Sequence, residues 1–83
     1  MKLTFKLYAS LTQLLPAAAA DHAIDIEVEA GDSVFDVIDR FKVPRGSAHL
    51  VLINGVFLAP EERDKPLLNE GDTLAIWPPV AGG

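Results

Sequence analysis

Val34, Val37, Ile38 and Phe41 recur at i, i+3, i+4 and i+7, the spacing that lines up one apolar stripe on an α-helix. In front of them Ser33-x-x-Asp36 forms a capping box in its acidic form. The serine side chain satisfies one orphan amide of the first turn and the carboxylate satisfies another. Asp36, Asp39 and Arg40 take the polar side, Pro44 must end the helix, and Arg45-Gly46 carries the turn onward. One short stripe cannot make a core alone. It needs a sheet to lie on.

The remaining apolar pattern supplies that sheet. Leu3, Phe5 and Leu7 alternate with Lys2, Thr4, Lys6 and Tyr8, which reads as a strand with one wet face. Ile24, Ile26 and Val28 alternate with Asp25, Glu27 and Glu29 in the same way. Lys2 and Lys6 are expected to face those acids across a pair of strands, an arrangement that favours register more than stability. Between them, Ala9–Leu15 predicts one or two helical turns capped by Ser10 and stopped by Pro16, and Ala17–Ala20 is a loosely specified connection.

After the helix, Leu50–Ile53 is a continuous apolar run, too short for a helix and suited to a covered strand. Asn54-Gly55 then marks a hairpin, because a type I′ turn needs positive φ at both central residues. Val56-Phe57-Leu58 returns, and Ala59–Pro66 is predicted to be a charged surface loop. Leu67 and Leu68 are expected to tuck inward before the turn Asn69-Glu70-Gly71-Asp72. Thr73–Trp77 is the last strand, with Leu74 and Ile76 on one face and Ala75 and Trp77 on the other. Pro78 has no N–H to give a ladder, so pairing should fade there. The pattern predicts an α+β fold, a mixed sheet with one main helix packed on one face. If the terminal strands pair in parallel at the centre, it is a β-grasp, or ubiquitin-like, roll over residues 1–77, with residues 78–83 as an extended tail.

The chain has 83 residues, enough for one domain with a modest core. Seven Lys and Arg against twelve Asp and Glu leave a formal charge of −5, which argues against nucleic acid and favours partners with basic surfaces. With no cysteine, thiol nucleophiles, thiolate metal sites and disulfides are excluded. No apolar run approaches the length that spans a membrane, and the charged, alternating N-terminus does not resemble a signal peptide. A cytoplasmic location is expected.

No side chain of the body assembles an evident active site. His22 and His49 stand beside loops without metal-ligand spacing and read as surface histidines. Asp25, Glu27 and Glu29 lie at strand spacing on a solvated face. Glu61, Glu62, Asp64 and Asp72 lack the ligand order of a calcium loop. Asp32, Ser33 and Asp36 are accounted for by helix capping, and Ser10 and Thr12 have no base near them in sequence. No metal site and no bound cofactor are expected.

The tail remains. Trp77-Pro78-Pro79-Val80-Ala81 leads to Gly82-Gly83, whose reactive group would be the terminal carboxylate of Gly83. A carboxylate is a poor electrophile until activated, so it must enter another protein's active site. Glycine, without Cβ, passes a narrow channel, and the two prolines reduce the entropy lost when the segment is held extended. Trp77 either anchors a partner or completes the core, and the sequence leaves both open.

These residues resemble the MoaD/ThiS family of sulfur carrier proteins over essentially the whole chain, most clearly in residues 50–83. Asn54-Gly55 resembles the family's Asn-containing turn. Pro66-Leu67-Leu68-Asn69-Glu70-Gly71-Asp72 resembles its Leu-x-x-Gly-Asp segment. Trp77-Pro78-Pro79-Val80-Ala81-Gly82-Gly83 is similar to the aromatic-Pro-Pro-Val-x-Gly-Gly ending of the small subunit of molybdopterin synthase, and Ser33–Phe41 sits where the family has its main helix. The resemblance implies a carrier rather than an enzyme in isolation. Gly83 would be adenylated by a ubiquitin-activating-type enzyme that uses ATP, then converted to a thiocarboxylate. Gly82 would thread the channel, and Trp77, Pro78, Pro79, Val80 and Ala81 would dock on the large synthase subunit or another sulfur acceptor. The Pro-Pro pair favours the molybdopterin branch over the thiazole branch. Tyr8-Ala9-Ser10-Leu11-Thr12-Gln13 departs from it, lacking the Arg-Glu pair common there. A ubiquitin-like modifier joined to lysine through Gly83, and a plain interaction module, are the competing expectations.

Overall fold

Five strands and one α-helix build the chain in the computed structural model, which describes residues 1–79. The strands are β1 (Lys2–Leu7), β2 (Ala23–Glu27), β3 (Leu50–Ile53), β4 (Val56–Phe57) and β5 (Thr73–Trp77), and the helix is α1 (Val34–Arg40). The sheet order is β2-β1-β5-β3-β4, with β1 and β5 parallel and every other neighbour antiparallel. A mixed five-stranded sheet carrying one helix is the β-grasp, ubiquitin-like fold expected from the pattern.

Strand alternation decides which side is the core. Leu3, Phe5 and Leu7 of β1, Leu74 and Ile76 of β5 and Val51 of β3 are fully buried, and Val34, Val37 and Ile38 of α1 join them in one cluster. Phe41, the fourth residue of the stripe, lies at the helix C-cap, half-buried, with its ring 4.7 Å from that of Phe5. The capping box is complete: Asp36 N–H donates to Ser33 Oγ at 3.1 Å and Ser33 N–H to Asp36 Oδ2 at 2.9 Å.

Several local expectations are corrected. Ser10 is no cap: Ala9–Leu14 is a 3-10 helix whose N-cap is Tyr8, with no side-chain cap bond. Leu68 is buried but Leu67 is exposed, so only one of the two adjacent side chains tucks inward. Lys2 stands directly opposite Glu27 in the β1–β2 register, as expected, yet among the described residues it is the Met1 amino group that pairs with Glu27, at 3.3 Å. Lys6 faces Ala23, so only one of the two lysines meets an acid. Asp21 and His22 take positive φ, +53° and +64°, and Ala20 and Ala23 exchange two backbone hydrogen bonds around them. The loosely specified connection thus closes as a tight turn of the hairpin type.

The predicted surface loop Ala59–Pro66 also differs. Arg63 is buried, 4% exposed, and its guanidinium donates to the carbonyls of Leu58, Ala48 and His49. Burial lowers its pKa from the ordinary arginine value, against a smaller opposing effect of Glu61.

Candidate functional site

β5 is the central strand, bonded to β1 on one side and β3 on the other, and its last residue is Trp77. Pairing persists to that point: Leu50 stands opposite Trp77, and His49 N–H donates to the Trp77 carbonyl at 3.0 Å. On the other side Tyr8 N–H donates to the Ile76 carbonyl at 3.1 Å. Pro78 is half-buried and Pro79 exposed, both beyond the strand. Val80, Ala81, Gly82 and Gly83, also assigned to the site from sequence, lie outside the described residues.

Trp77 belongs to a ladder of rings. Its indole lies parallel to the Tyr8 ring, 4.2 Å between centroids and 2° between planes, and Tyr8 in turn stacks on His22 at 5.1 Å and 19°. The alternation of β1 and β5 explains the first contact, since Tyr8 follows Lys6 on the outer face and Trp77 follows Ala75 there. The tight Asp21-His22 turn explains the second, because it brings His22 back beside the end of β1, where Leu7 N–H donates to its carbonyl at 3.1 Å.

Thr12 has a base beside it after all, at 3.1 Å from His22 Nδ1. The pair is not an activated nucleophile. The Thr12 hydroxyl also lies 3.1 Å from the Leu7 carbonyl, which can only accept, so its single proton is committed there. With that proton committed, the contact left to the ring is one in which Nδ1 donates to Thr12 Oγ1. Thr12 and His22 border a shallow hollow with Leu15, Pro16 and Ala19. Both contacts brace the outer end of the ring ladder.

Several of the acids are engaged in structural bonds. Asp72, 8% exposed, accepts from Asn54 Nδ2 at 2.8 Å and from Asn69 N–H at 2.8 Å, while Asn54 Oδ1 accepts from Thr73 N–H at 2.9 Å. This cross-link ties the β3–β4 turn to the start of β5. Asp32 is held below the usual carboxylate range chiefly by the Arg40 guanidinium at 2.8 Å, then by the Glu29 amide. Asp39 is lowered by its bond from Arg45. Among the described residues no cluster of three or more His, Cys, Asp or Glu side chains could hold a metal ion. No helix among them is long and apolar enough to cross a membrane.

Sequence reasoning missed Tyr8, Arg63 and the Asn54–Asp72 pair as parts that shape this end of the sheet. Asn54-Gly55 and Gly71-Asp72 were visible as separate turn signals, but nothing local shows that they touch. Arg63 carried no signal at all within its charged loop.

Comparison with solved structures places the fold among small carriers and modifiers. SAMP1 from Haloferax volcanii is 25% identical over 100% of both chains, with a TM-score of 0.66. A Pyrococcus furiosus protein provisionally assigned as molybdopterin converting factor, subunit 1, is 24% identical, covering 95% of this chain and 98% of its own, with a TM-score of 0.67. A chain of the complex between subunits 1 and 2 of molybdopterin-converting factor from Helicobacter pylori shares the fold at 15% identity and a TM-score of 0.58, over 100% of both chains. Among curated proteins none matches the sequence. The ThiS family model matches residues 7–83, and this chain belongs to the ThiS family of small ubiquitin-like carriers.

Proposed function

We propose that this protein is a sulfur carrier that works through the carboxylate of Gly83. The carboxylate oxygen attacks the α-phosphorus of ATP in an adenylating enzyme's site and releases pyrophosphate. A hydrosulfide equivalent then displaces AMP from the acyl carbon, leaving a thiocarboxylate. The observation that carries this reading is that pairing of the central strand stops at Trp77, the root of the tail. Trp77, the last residue of that strand, is bonded through its carbonyl to His49, and Tyr8 bonds the carbonyl of Ile76 before it, while among the described residues no His, Cys, Asp or Glu cluster could hold a metal ion.

The acceptor in this reading is a molybdopterin synthase large subunit, with this chain as the small subunit. Trp77-Pro78-Pro79-Val80-Ala81-Gly82-Gly83 supports that branch, as does the fold shared with a protein of the H. pylori two-subunit complex. Transfer would take place in the cytoplasm, where ATP and the activating enzyme meet. The protein binds no cofactor itself; ATP belongs to its activating enzyme. Conjugation of Gly83 to lysine is the second reading, favoured by the 25% identity to SAMP1, which is a small archaeal modifier protein.

Intact-mass analysis after incubation with the cognate activating enzyme, ATP and a sulfur source separates the two. Exchange of one oxygen for sulfur at the C-terminus is the result expected of the carrier. Attachment to other proteins without sulfur gain would replace it with the modifier. One residue appended after Gly83 should abolish either reaction while the fold remains, and equal activity with the longer tail overturns both.

A further inference from the structure

The geometry of Arg63 points to a role beyond packing. We propose that the Arg63 guanidinium is a positioning residue that fixes the direction in which the C-terminal tail leaves the sheet, and so sets how Gly83 is presented to the activating enzyme. This role rests on the carrier reading above.

Three carbonyls converge on the side chain. Nε donates to Leu58 O at 3.1 Å, Nη1 to Ala48 O at 2.6 Å and Nη2 to His49 O at 3.2 Å. The residue is 4% exposed, and among the described residues its head is held by these neutral acceptors while no carboxylate lies within ion-pairing distance. Taking a cation out of water is costly, and an apolar side chain of similar volume commonly stabilises as well. What a methionine or leucine could not do is orient three peptide groups. A planar fork of fixed donors can.

One of those peptide groups leads directly to the tail. Arg63 Nη1 holds the carbonyl of Ala48 at 2.6 Å, and the N–H of the same Ala48–His49 peptide donates to the carbonyl of Trp77 at 3.0 Å. That carbonyl is part of the Trp77–Pro78 peptide. Its orientation sets the plane from which the chain departs, and Pro78, with φ restricted near −65°, passes the direction on and offers no N–H for a compensating bond. Arg63 O also accepts from Phe35 N–H at 3.0 Å, so the fork is itself fixed to the first turn of α1. The helix, the entry to β3 and the root of the tail are thereby linked through Arg63.

The test compares wild type with Arg63→Met, Arg63→Lys and His49→Pro. The last removes the N–H at the tail root without removing any of the carbonyls that Arg63 holds. Amide hydrogen exchange gives the local readout, and pyrophosphate release with the cognate activating enzyme gives kcat and KM. Arg63→Met is expected to exchange the His49 amide about tenfold faster while Phe5 stays protected. Its kcat falls about tenfold and its KM changes by less than about twofold, since a misplaced reacting group costs rate more than encounter. Arg63→Lys falls between, and His49→Pro matches the loss in kcat. Should Arg63→Met fail to fold, the graded loss in Arg63→Lys and the effect of His49→Pro decide the matter. Unchanged kcat in the folded variants, or unchanged His49 protection, overturns the role of Arg63. Failure of wild type to be adenylated instead overturns the carrier reading, while the His49 exchange still reports on the clasp.

Discussion

The rings of Tyr8 and Trp77 lie parallel with centroids 4.2 Å apart, so the first residue after β1 closes over the last residue of β5. The contact joins the two parallel strands at the point where the tail begins. Such aromatic pairs contribute about 0.5–1.5 kcal/mol beyond the area they bury. Tyr8→Ala should lower unfolding free energy by about 1–2 kcal/mol and shift Trp77 fluorescence to longer wavelength, whereas Tyr8→Phe should keep nearly all of both. Equal loss in the two variants, followed by urea titration, would show that the ring is not the source.

Asn54 serves two purposes that substitution can separate. Its φ of +52° suits the turn, and its carboxamide bonds Asp72 and Thr73. Asn54→Gly keeps the turn and loses the bonds, at an expected cost of about 1–3 kcal/mol. Asn54→Ala adds the strain of a left-handed alanine, roughly 1 kcal/mol more. Denaturant midpoints should rank wild type above Asn54→Gly above Asn54→Ala. A glycine variant as stable as wild type would leave the Asn54–Asp72 cross-link without energetic content.

The pH response has a definite sign. Asp32 is lowered by its hydrogen bond from Arg40 and then by the Glu29 amide, so its carboxylate is favoured in the folded state. Stability from this group is present above the unfolded value, about pH 3.9, and disappears as pH falls through the lower folded value. Asp39, lowered by Arg45, acts in the same direction. Asp32→Asn should therefore flatten the decline in thermal midpoint below about pH 4. A decline as steep as that of wild type would assign the acid sensitivity elsewhere.

Ile38 and Phe41 test the helix face. Ile38 is fully buried, and Ile38→Ala should cost about 2–5 kcal/mol. Phe41 is half-buried at the C-cap, so Phe41→Ala should cost less than the roughly 3–5 kcal/mol of a fully enclosed phenylalanine. Calorimetric midpoints that reverse this order would mean that Phe41 carries the core contact of the stripe.

Much of the architecture was legible because its signals are local. The stripe with its Ser33–Asp36 box, the alternation of β1 and β2, and the Asn54-Gly55 turn each need only a few neighbouring residues to be read. Even the wet face of β2 and the end of pairing at Trp77 follow from alternation and one proline. The candidate site was legible only as composition: an aromatic, two prolines and a diglycine.

What the sequence determined by itself was the set of elements, since periodicity, capping and residue type are properties of short segments. Tertiary structure decided what holds the root of the tail. Arg63 reaches Ala48 from 15 residues away, and Asn54 reaches Asp72 from 18. Tyr8 and Trp77 meet because the chain's first and last strands lie side by side. Such contacts depend on register and packing across the whole sheet, and no window of neighbouring residues contains both partners.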